Sequence, residues 1–381
     1  MGNNNTLPRP EVDPQGLLEY SVVYTDRALN HMSQKFQAAL REISSVLKKT
    51  YHADHAAVVP GTGSAGMEAV ARQFARGKKC LILRNGFFSY RWTQILEQGN
   101  IAADAKVITA AQEDRFQGTV SPAQIEQVCT EIAAYRPDIV FAPHVETASG
   151  IILPDGYIAR LAEAVHAVGG LLAIDSIASG CIWPNMKRLG IDILISAPQK
   201  GWSGSPCCGL IMLNQTAFDR AQKAQSDSFS LDLKKWLQIM QAFENGGHAY
   251  HATMPTDALM RLHDVIKEAE AVGFEKLHEQ QIELGKRIRR LLAEQGFPSV
   301  AATGFEAPSV IVAHTDDPDI QSGKAFAAQG LQIASGVPLQ IGERSDFRSF
   351  RIGLFGLDKL QNADRTFQTF AQALAKIKQS A

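Results

Sequence analysis

The chain has 381 residues, 45% hydrophobic and 20% charged, with 38 Lys+Arg against 39 Asp+Glu. At roughly 150 residues per domain this length suggests two or three globular units, and the near-zero net charge argues against a protein built to bind nucleic acid or an anionic membrane. Ordinary glycine and proline contents exclude collagen-like repeats and extensive disorder, and the five scattered cysteines (80, 129, 181, 207 and 208) fit reduced thiols in a cytoplasmic protein.

Residues 1–15 read as a flexible arm. Met1-Gly2 followed by Thr6 meets the myristoylation pattern formally, but beside Asn3-Asn4-Asn5 so short a match reads as a polar tail. No signal-peptide order and no bilayer-length apolar run is found. From residue 56 to about 215, short apolar runs alternate with amphipathic stretches. Strands are predicted at 56–59, 80–83, 105–108, 139–142, 171–174, 193–195 and 210–213. Helices are predicted at 64–75, 88–98, 122–135 and from Pro154 to about 168. This alternation predicts an α/β unit, a mostly parallel sheet sandwiched by helices, over residues 16–265. From 266 to 381 the pattern changes to a smaller α+β domain. It has helices at 273–295, 320–329 and from 363, and strands at 309–314, 331–334 and 350–354. Residues 248–255 are too polar and irregular for core.

Gly61-Thr62-Gly63-Ser64-Ala65-Gly66 follows a predicted strand and opens a predicted helix. Glycines let the backbone approach closely, and unpaired N–H groups at a helix start capture a phosphate. A dinucleotide site would also need an acid ending the second strand, and that strand ends in Arg84-Asn85-Gly86. An arginine there leaves only a reductase using the 2′-phosphorylated nucleotide NADP.

The apolar run 171–174 ends in Asp175, and the run 193–195 leads through Ser196-Ala197-Pro198-Gln199 to Lys200. Ligands of open α/β sheets bind at this carboxyl edge. The pair suits pyridoxal phosphate: the lysine forms an imine, and the carboxylate keeps the pyridine nitrogen protonated. His52-Ala53-Asp54-His55 reads as solvated polar residues, not a metal site, and no metal is expected. Trp202, Phe243, Cys207 and Cys208 read as packing residues.

In order along the chain stand Gly61-Thr62-Gly63-Ser64, Asn85-Gly86-Phe87-Phe88, His144-Val145-Glu146-Thr147-Ala148-Ser149-Gly150, Asp175-Ser176-Ile177-Ala178-Ser179, Ser196-Ala197-Pro198-Gln199-Lys200, Tyr250-His251-Ala252-Thr253 and Phe350-Arg351-Ile352-Gly353. Over residues 30–375 the chain resembles the class V aminotransferases, fold-type I pyridoxal-phosphate enzymes, and within them the alanine–glyoxylate and serine–pyruvate group. The resemblance implies transfer of an amino group from a small amino acid to a small 2-oxo acid. It makes Lys200 the imine lysine and Asp175 the pyridinium partner. It places Thr62, Gly63, Ser64 and Gln199 on the cofactor phosphate, Thr147 on the ring-hydroxyl side, and Ile177 against the ring face opposite the stacking aromatic. Tyr250 and Thr253 would reach the phosphate of a neighbouring subunit, making a homodimer. Arg351 would grip the substrate carboxylate, with Arg27 the second candidate; a surface pair between Arg351 and Glu343 is the other reading. Two features depart from the family: Phe88 stands where it usually has tryptophan, and the segment 17–27 replaces its Gly-Pro-rich opening. A lyase or desulfurase on the same fold is the alternative chemistry.

Overall fold

The computed structural model describes residues 7–380, so the Met1-Gly2 pattern lies outside the described residues. Residues 7–33 are turns and extended chain, and Ser33 then caps α1 (Gln34–Tyr51) by accepting the N–H of Phe36. Next come β1 (His55–Pro60), α2 (Gly63–Phe74), β2 (Lys79–Arg84), α3 (Phe87–Gln98) and β3 (Asp104–Thr109). A short hairpin, β4 (Ala111–Gln112) and β5 (Val120–Ser121), leads to α4 (Ile125–Tyr135) and β6 (Ile139–Pro143). A second hairpin, β7 (Val145–Glu146) and β8 (Ile151–Ile152), precedes α5 (Asp155–Ala167) and β9 (Leu171–Asp175). Then follow α6 (Met186–Leu189), β10 (Ile193–Ser196) and β11 (Cys208–Leu213).

The main sheet has seven strands in the order β1-β11-β10-β9-β6-β2-β3. β11 is antiparallel to both its neighbours, and the other strands run in one direction. The expected mostly parallel sheet is therefore present. Its central strands β6, β9 and β10 are buried at every position, as near-continuous apolar runs covered on both faces require. Because β1, β2, β6, β9 and β10 are parallel, the loops that leave their carboxyl ends all emerge at one edge.

Three helices unassigned from sequence follow: α7 (Gln215–Lys223), α8 (Leu233–Glu244) and α9 (Thr256–Val272). Residues 245–255 between the last two carry neither helix nor strand, but Met254 is buried in the main core with Ala249 and Ala252 packed against it, so the reading of this stretch as outside the core is corrected. The expected boundary at 265/266 falls inside α9. The remaining elements are α10 (Phe274–Glu294), β12 (Val310–His314), α11 (Pro318–Ser322), α12 (Lys324–Ala327), β13 (Ala334–Ser335), β14 (Ser349–Gly353), α13 (Leu357–Gln361) and α14 (Ala363–Ser380). β12, β14 and β13 form an antiparallel sheet whose Phe350 and Ile352 pack with Leu284, Ile288 and Leu374 in a core of their own.

Two further expectations need correction here. The predicted helix at 320–329 is two short helices, because Gly323 at φ 82° breaks the turn. The predicted strand at 331–334 shrinks to Ala334–Ser335: Leu331 N–H is taken by Phe326 O at 2.9 Å, closing the preceding helix, and only Ala334 and Ser335 reach register with Arg351 and Phe350.

Candidate active site

Asp175 is the last residue of β9, and Lys200 lies in the turn that leaves β10 beside it. The Asp175 side chain is buried, and Oδ1 accepts the N–H of Ile177 at 2.9 Å. Burial pushes this carboxyl up to about 6, and the nearby negative charge of Glu146 acts in the same direction. Burial also holds the Lys200 ammonium below its ordinary range, against the attraction of Asp175. Lys200 Nζ lies 4.9 Å from the centre of the Phe355 ring. A lysine in such surroundings loses its proton readily and becomes a nucleophile and base.

From the end of β1 the chain turns into α2. Thr62 is its N-cap, accepting the N–H of Ala65 at 3.5 Å, so the amides of Gly63 and Ser64 have no carbonyl one turn earlier to bond. A Cβ at Gly63 would lie 2.7 Å from Ile177 Cδ1 and 3.1 Å from Ala197 Cβ. Only glycine permits that approach, which brings the loop against both the Asp175 and the Lys200 segments. Unpaired amides and the hydroxyls of Thr62 and Ser64 at a helix start suit a phosphate. Gln199 is exposed beside Lys200.

Phe88 is the second residue of α3, which follows β2. Its main chain is fixed by the fully buried Glu146, whose Oε1 accepts from Phe88 N at 3.1 Å and Ala148 N at 2.9 Å, and whose Oε2 accepts from Ser89 N at 2.8 Å. Thr147, next in the chain, is buried. His144 Nδ1 meets Ser179 Oγ at 2.7 Å, and burial pushes its ring down to about 4, so it is neutral near pH 7.

Arg351 enters from the small sheet. Its Nε donates to Ser335 O at 2.8 Å, and its guanidinium carbon lies 5.4 Å from the centre of the Phe88 ring. The Glu343 pairing is not formed: that carboxylate accepts the N–H groups of Leu339 at 2.6 Å, Gln340 at 3.3 Å and Ile341 at 3.1 Å. Partial burial lowers the Arg351 pKa.

Lys200, Asp175, Ile177, Gly63, Phe88 and Arg351 are thus linked through contacts, charge effects or close approach. Tyr250, Thr253 and Arg27 are exposed, and no recorded contact among the described residues joins them to this group; Tyr250 Oη meets Thr253 Oγ1 at 3.1 Å. Phe355, Arg91 and Glu146 belong to the site without having been assigned a role from sequence. Glu146 sits in the run His144–Gly150, whereas Phe355 and Arg91 carry no local sequence signal. The NADP option loses its arginine, because Arg84 is committed elsewhere: Nη1 donates to Gln340 O at 3.1 Å and Nη2 to Thr93 Oγ1 at 2.7 Å.

A lysine and a buried carboxylate at neighbouring strand ends, with a helix start free to take a phosphate, define a fold-type I pyridoxal-phosphate enzyme. The chain belongs to the class V aminotransferase family, whose model matches residues 14–337. It is 26% identical over 365 residues to an alanine–glyoxylate aminotransferase of Oryctolagus cuniculus, covering 92% of this chain and 88% of the relative. It is also 26% identical over 351 residues to a 2-aminoethylphosphonate–pyruvate transaminase of Paraburkholderia phymatum, covering 87% and 84%. The solved alanine–glyoxylate aminotransferase of Nostoc sp. has a TM-score of 0.77 at 21% identity, covering 91% of this chain and 88% of that one, and shares its fold.

Proposed function

We propose that this protein moves an amino group from a small amino acid to a small 2-oxo acid such as glyoxylate or pyruvate. The supporting observation is the meeting of Lys200 and Asp175 at one sheet edge with Arg351 from the second sheet. The names of the relatives point to the same acceptors. When bound, pyridoxal phosphate supplies an electron sink for the bond broken at the substrate's α-carbon. The residues of the chain supply the rest. Asp175 would present its carboxylate to the ring nitrogen and hold the proton there. Lys200 would hold the cofactor at its carbonyl end and, as the buried amine of the site, would move a proton from the substrate α-carbon. Arg351 orients the substrate carboxylate. Phe88 and Ile177 would pack the two ring faces, Thr147 would bond the ring-hydroxyl side, and Thr62, Gly63, Ser64 and Gln199 would take the phosphate.

The active unit in this reading is a homodimer, in which Tyr250 and Thr253 serve the neighbouring subunit's phosphate. Exposure of apolar side chains supports it: Leu17 is 92%, Tyr20 90% and Phe229 74% exposed, which a second copy would cover. Among the described residues no helix is long and apolar enough to cross a membrane, and a cytoplasmic location is part of the proposal. The test is spectral. Purified protein should take up pyridoxal phosphate and turn yellow. A panel of small amino acids should bleach that colour while releasing 2-oxo acids, and glyoxylate or pyruvate should restore it. A protein that takes up no pyridoxal phosphate overturns the reading, and release of ammonia or sulfide in place of exchange would assign a lyase or desulfurase.

A further inference from the structure

We propose that Arg91 is the cation of the cofactor-phosphate cradle, binding the phosphate directly and through the Ser64 hydroxyl; this rests on the pyridoxal-phosphate reading above. The groups already placed around the phosphate, Thr62, Gly63, Ser64 and Gln199 with Tyr250 and Thr253 of a second subunit, are all neutral. A phosphate monoester carries a charge of about −1.5 to −2 near neutral pH, and a helix start supplies only about half a positive charge. Lys200 is engaged at the other end of the cofactor. The cradle therefore needs a cation, and Arg91 is placed to be it.

Arg91 lies three residues after Phe88 on α3, so the two side chains share a helix face. Its guanidinium carbon stands 4.9 Å from the centre of the Phe88 ring, and Nη1 donates to Ser64 Oγ at 3.1 Å. The ring contact and the bond to Ser64 together hold the guanidinium beside the start of α2. Ser64 is the second residue of α2, beside the unbonded amides of the helix start. When its oxygen accepts from Arg91, its one hydrogen is free to point at an anion, and a donor polarised in this way binds more strongly. The guanidinium has five N–H donors, so others remain for the phosphate itself. Its positive charge is felt at both Lys200 and Asp175, which places it within the site's electrostatic reach.

The test compares two ligands that differ only in the phosphate. Cofactor-free wild type, Arg91→Met and Arg91→Lys are titrated with pyridoxal phosphate and with pyridoxal, read by absorbance. Methionine keeps an unbranched apolar stem over Phe88 and is a good helix former, so it removes the charge alone. Arg91→Met should weaken pyridoxal phosphate on the order of tenfold to a hundredfold, the loss expected for charged hydrogen bonds, and leave pyridoxal within about twofold. Arg91→Lys should recover part of the loss. Equal losses for both ligands would overturn the proposal and make Arg91 only a support for the Phe88 ring, and unchanged pyridoxal phosphate binding would overturn it outright. Wild type that takes up neither ligand would overturn the pyridoxal-phosphate reading, and this proposal with it.

Discussion

The main-chain N–H of His144 donates to the carbonyl of Asp175 at 2.8 Å, so two buried titratable side chains leave neighbouring parallel strands side by side. Burial acts on them in opposite senses. The Asp175 carboxyl rises from 3.8 to about 6, and the His144 ring falls from 6.5 to about 4. Folded Asp175 keeps a proton that the unfolded chain releases, so its stabilising share is present below about pH 4 and is lost as pH rises to about 6. His144 runs the other way: its share is present above about 6.5 and is lost as pH falls towards 4.

Asp175→Asn therefore has a signed outcome. At pH 7 the cofactor-free variant should be more stable than wild type by up to about 3 kcal/mol, two pKa units at 1.36 kcal/mol each. Near pH 4 the gain should vanish. His144 is common to both proteins and cancels in the difference. Urea unfolding at the two pH values measures it, and a variant less stable than wild type at pH 7 would refute the assignment. Function should move in the opposite direction, with cofactor uptake impaired, which is the trade expected where a site stores an unfavourable charge.

Phe355 acts on the lysine through its ring. It precedes Gly356, where φ is 107°, and the following Leu357 N–H donates to Ser203 Oγ at 2.7 Å, tying this turn to the loop just after Lys200. Ring contact with Lys200 Nζ favours the ammonium by about 0.5–2 kcal/mol. Phe355→Leu keeps the apolar volume, and with it the burial that lowers the lysine pKa, but removes the π face. The pH at which Lys200 captures pyridoxal phosphate should shift downward by about 0.4–1.5 units, since one unit is 1.36 kcal/mol. Visible absorbance against pH reads this directly, and an upward shift would show that water, not the ring, sets the value.

Glu146 holds the start of α3, and glutamine should not replace it. Both carboxylate oxygens accept, Oε1 from Phe88 N and Ala148 N, Oε2 from Ser89 N and Ser89 Oγ. In Glu146→Gln an NH₂ group faces N–H donors on one side. A buried group left unsatisfied costs about 1–3 kcal/mol, and the urea midpoint should fall accordingly with an unchanged slope. Gly86→Ala should be destabilising for a related reason: its Cβ would lie 2.7 Å from Glu146 Cγ and 2.8 Å from Cδ. A wild-type midpoint in Glu146→Gln would remove Glu146 from this role.

What could be read from sequence depended on range. The strand ends carrying Asp175 and Lys200 and the glycine turn at 61–64 are local patterns, where an apolar run stops and a polar or flexible residue follows. Their meeting at one sheet edge follows from parallel strands alone. The breaks at Gly323 and before Ala334 escaped, because Phe326, Leu331 and Ile333 are apolar and pack in the small core whether or not their backbone is helical or paired. Phe355 escaped because it lies just past the predicted strand end at 354, and only the turn at Gly356 sends it towards Lys200. Arg91 lies on a helix face like many solvated arginines, and what distinguishes it is Ser64, twenty-seven residues away.

Replacing Arg351 tests whether substrate binding and cofactor binding are separable in the proposed site. On β14 its neighbours Phe350 and Ile352 face the small core, so the guanidinium is directed to the other face. There it lies over Phe88 and gives Nε to Ser335 O, which leaves the paired terminal nitrogens for a carboxylate. Half-burial without a carboxylate partner carries a cost for a cation, and an incoming α-carboxylate would relieve it. Glu343 cannot do so, since its oxygens are occupied by the amides of residues 339–341. Arg351→Ala should still take up pyridoxal phosphate and turn yellow, while kcat/KM for the amino donor falls on the order of tenfold to a thousandfold, about 1.5–4 kcal/mol for a lost charge-assisted fork. Arg351→Lys should recover only part of this, because one ammonium cannot reproduce two parallel hydrogen bonds. Steady-state kinetics on both variants, with cofactor content measured on the same samples, decide the matter. Unchanged kinetics in the alanine variant would move the carboxylate site elsewhere, and Arg27, exposed on the N-terminal segment, would be the next residue to replace.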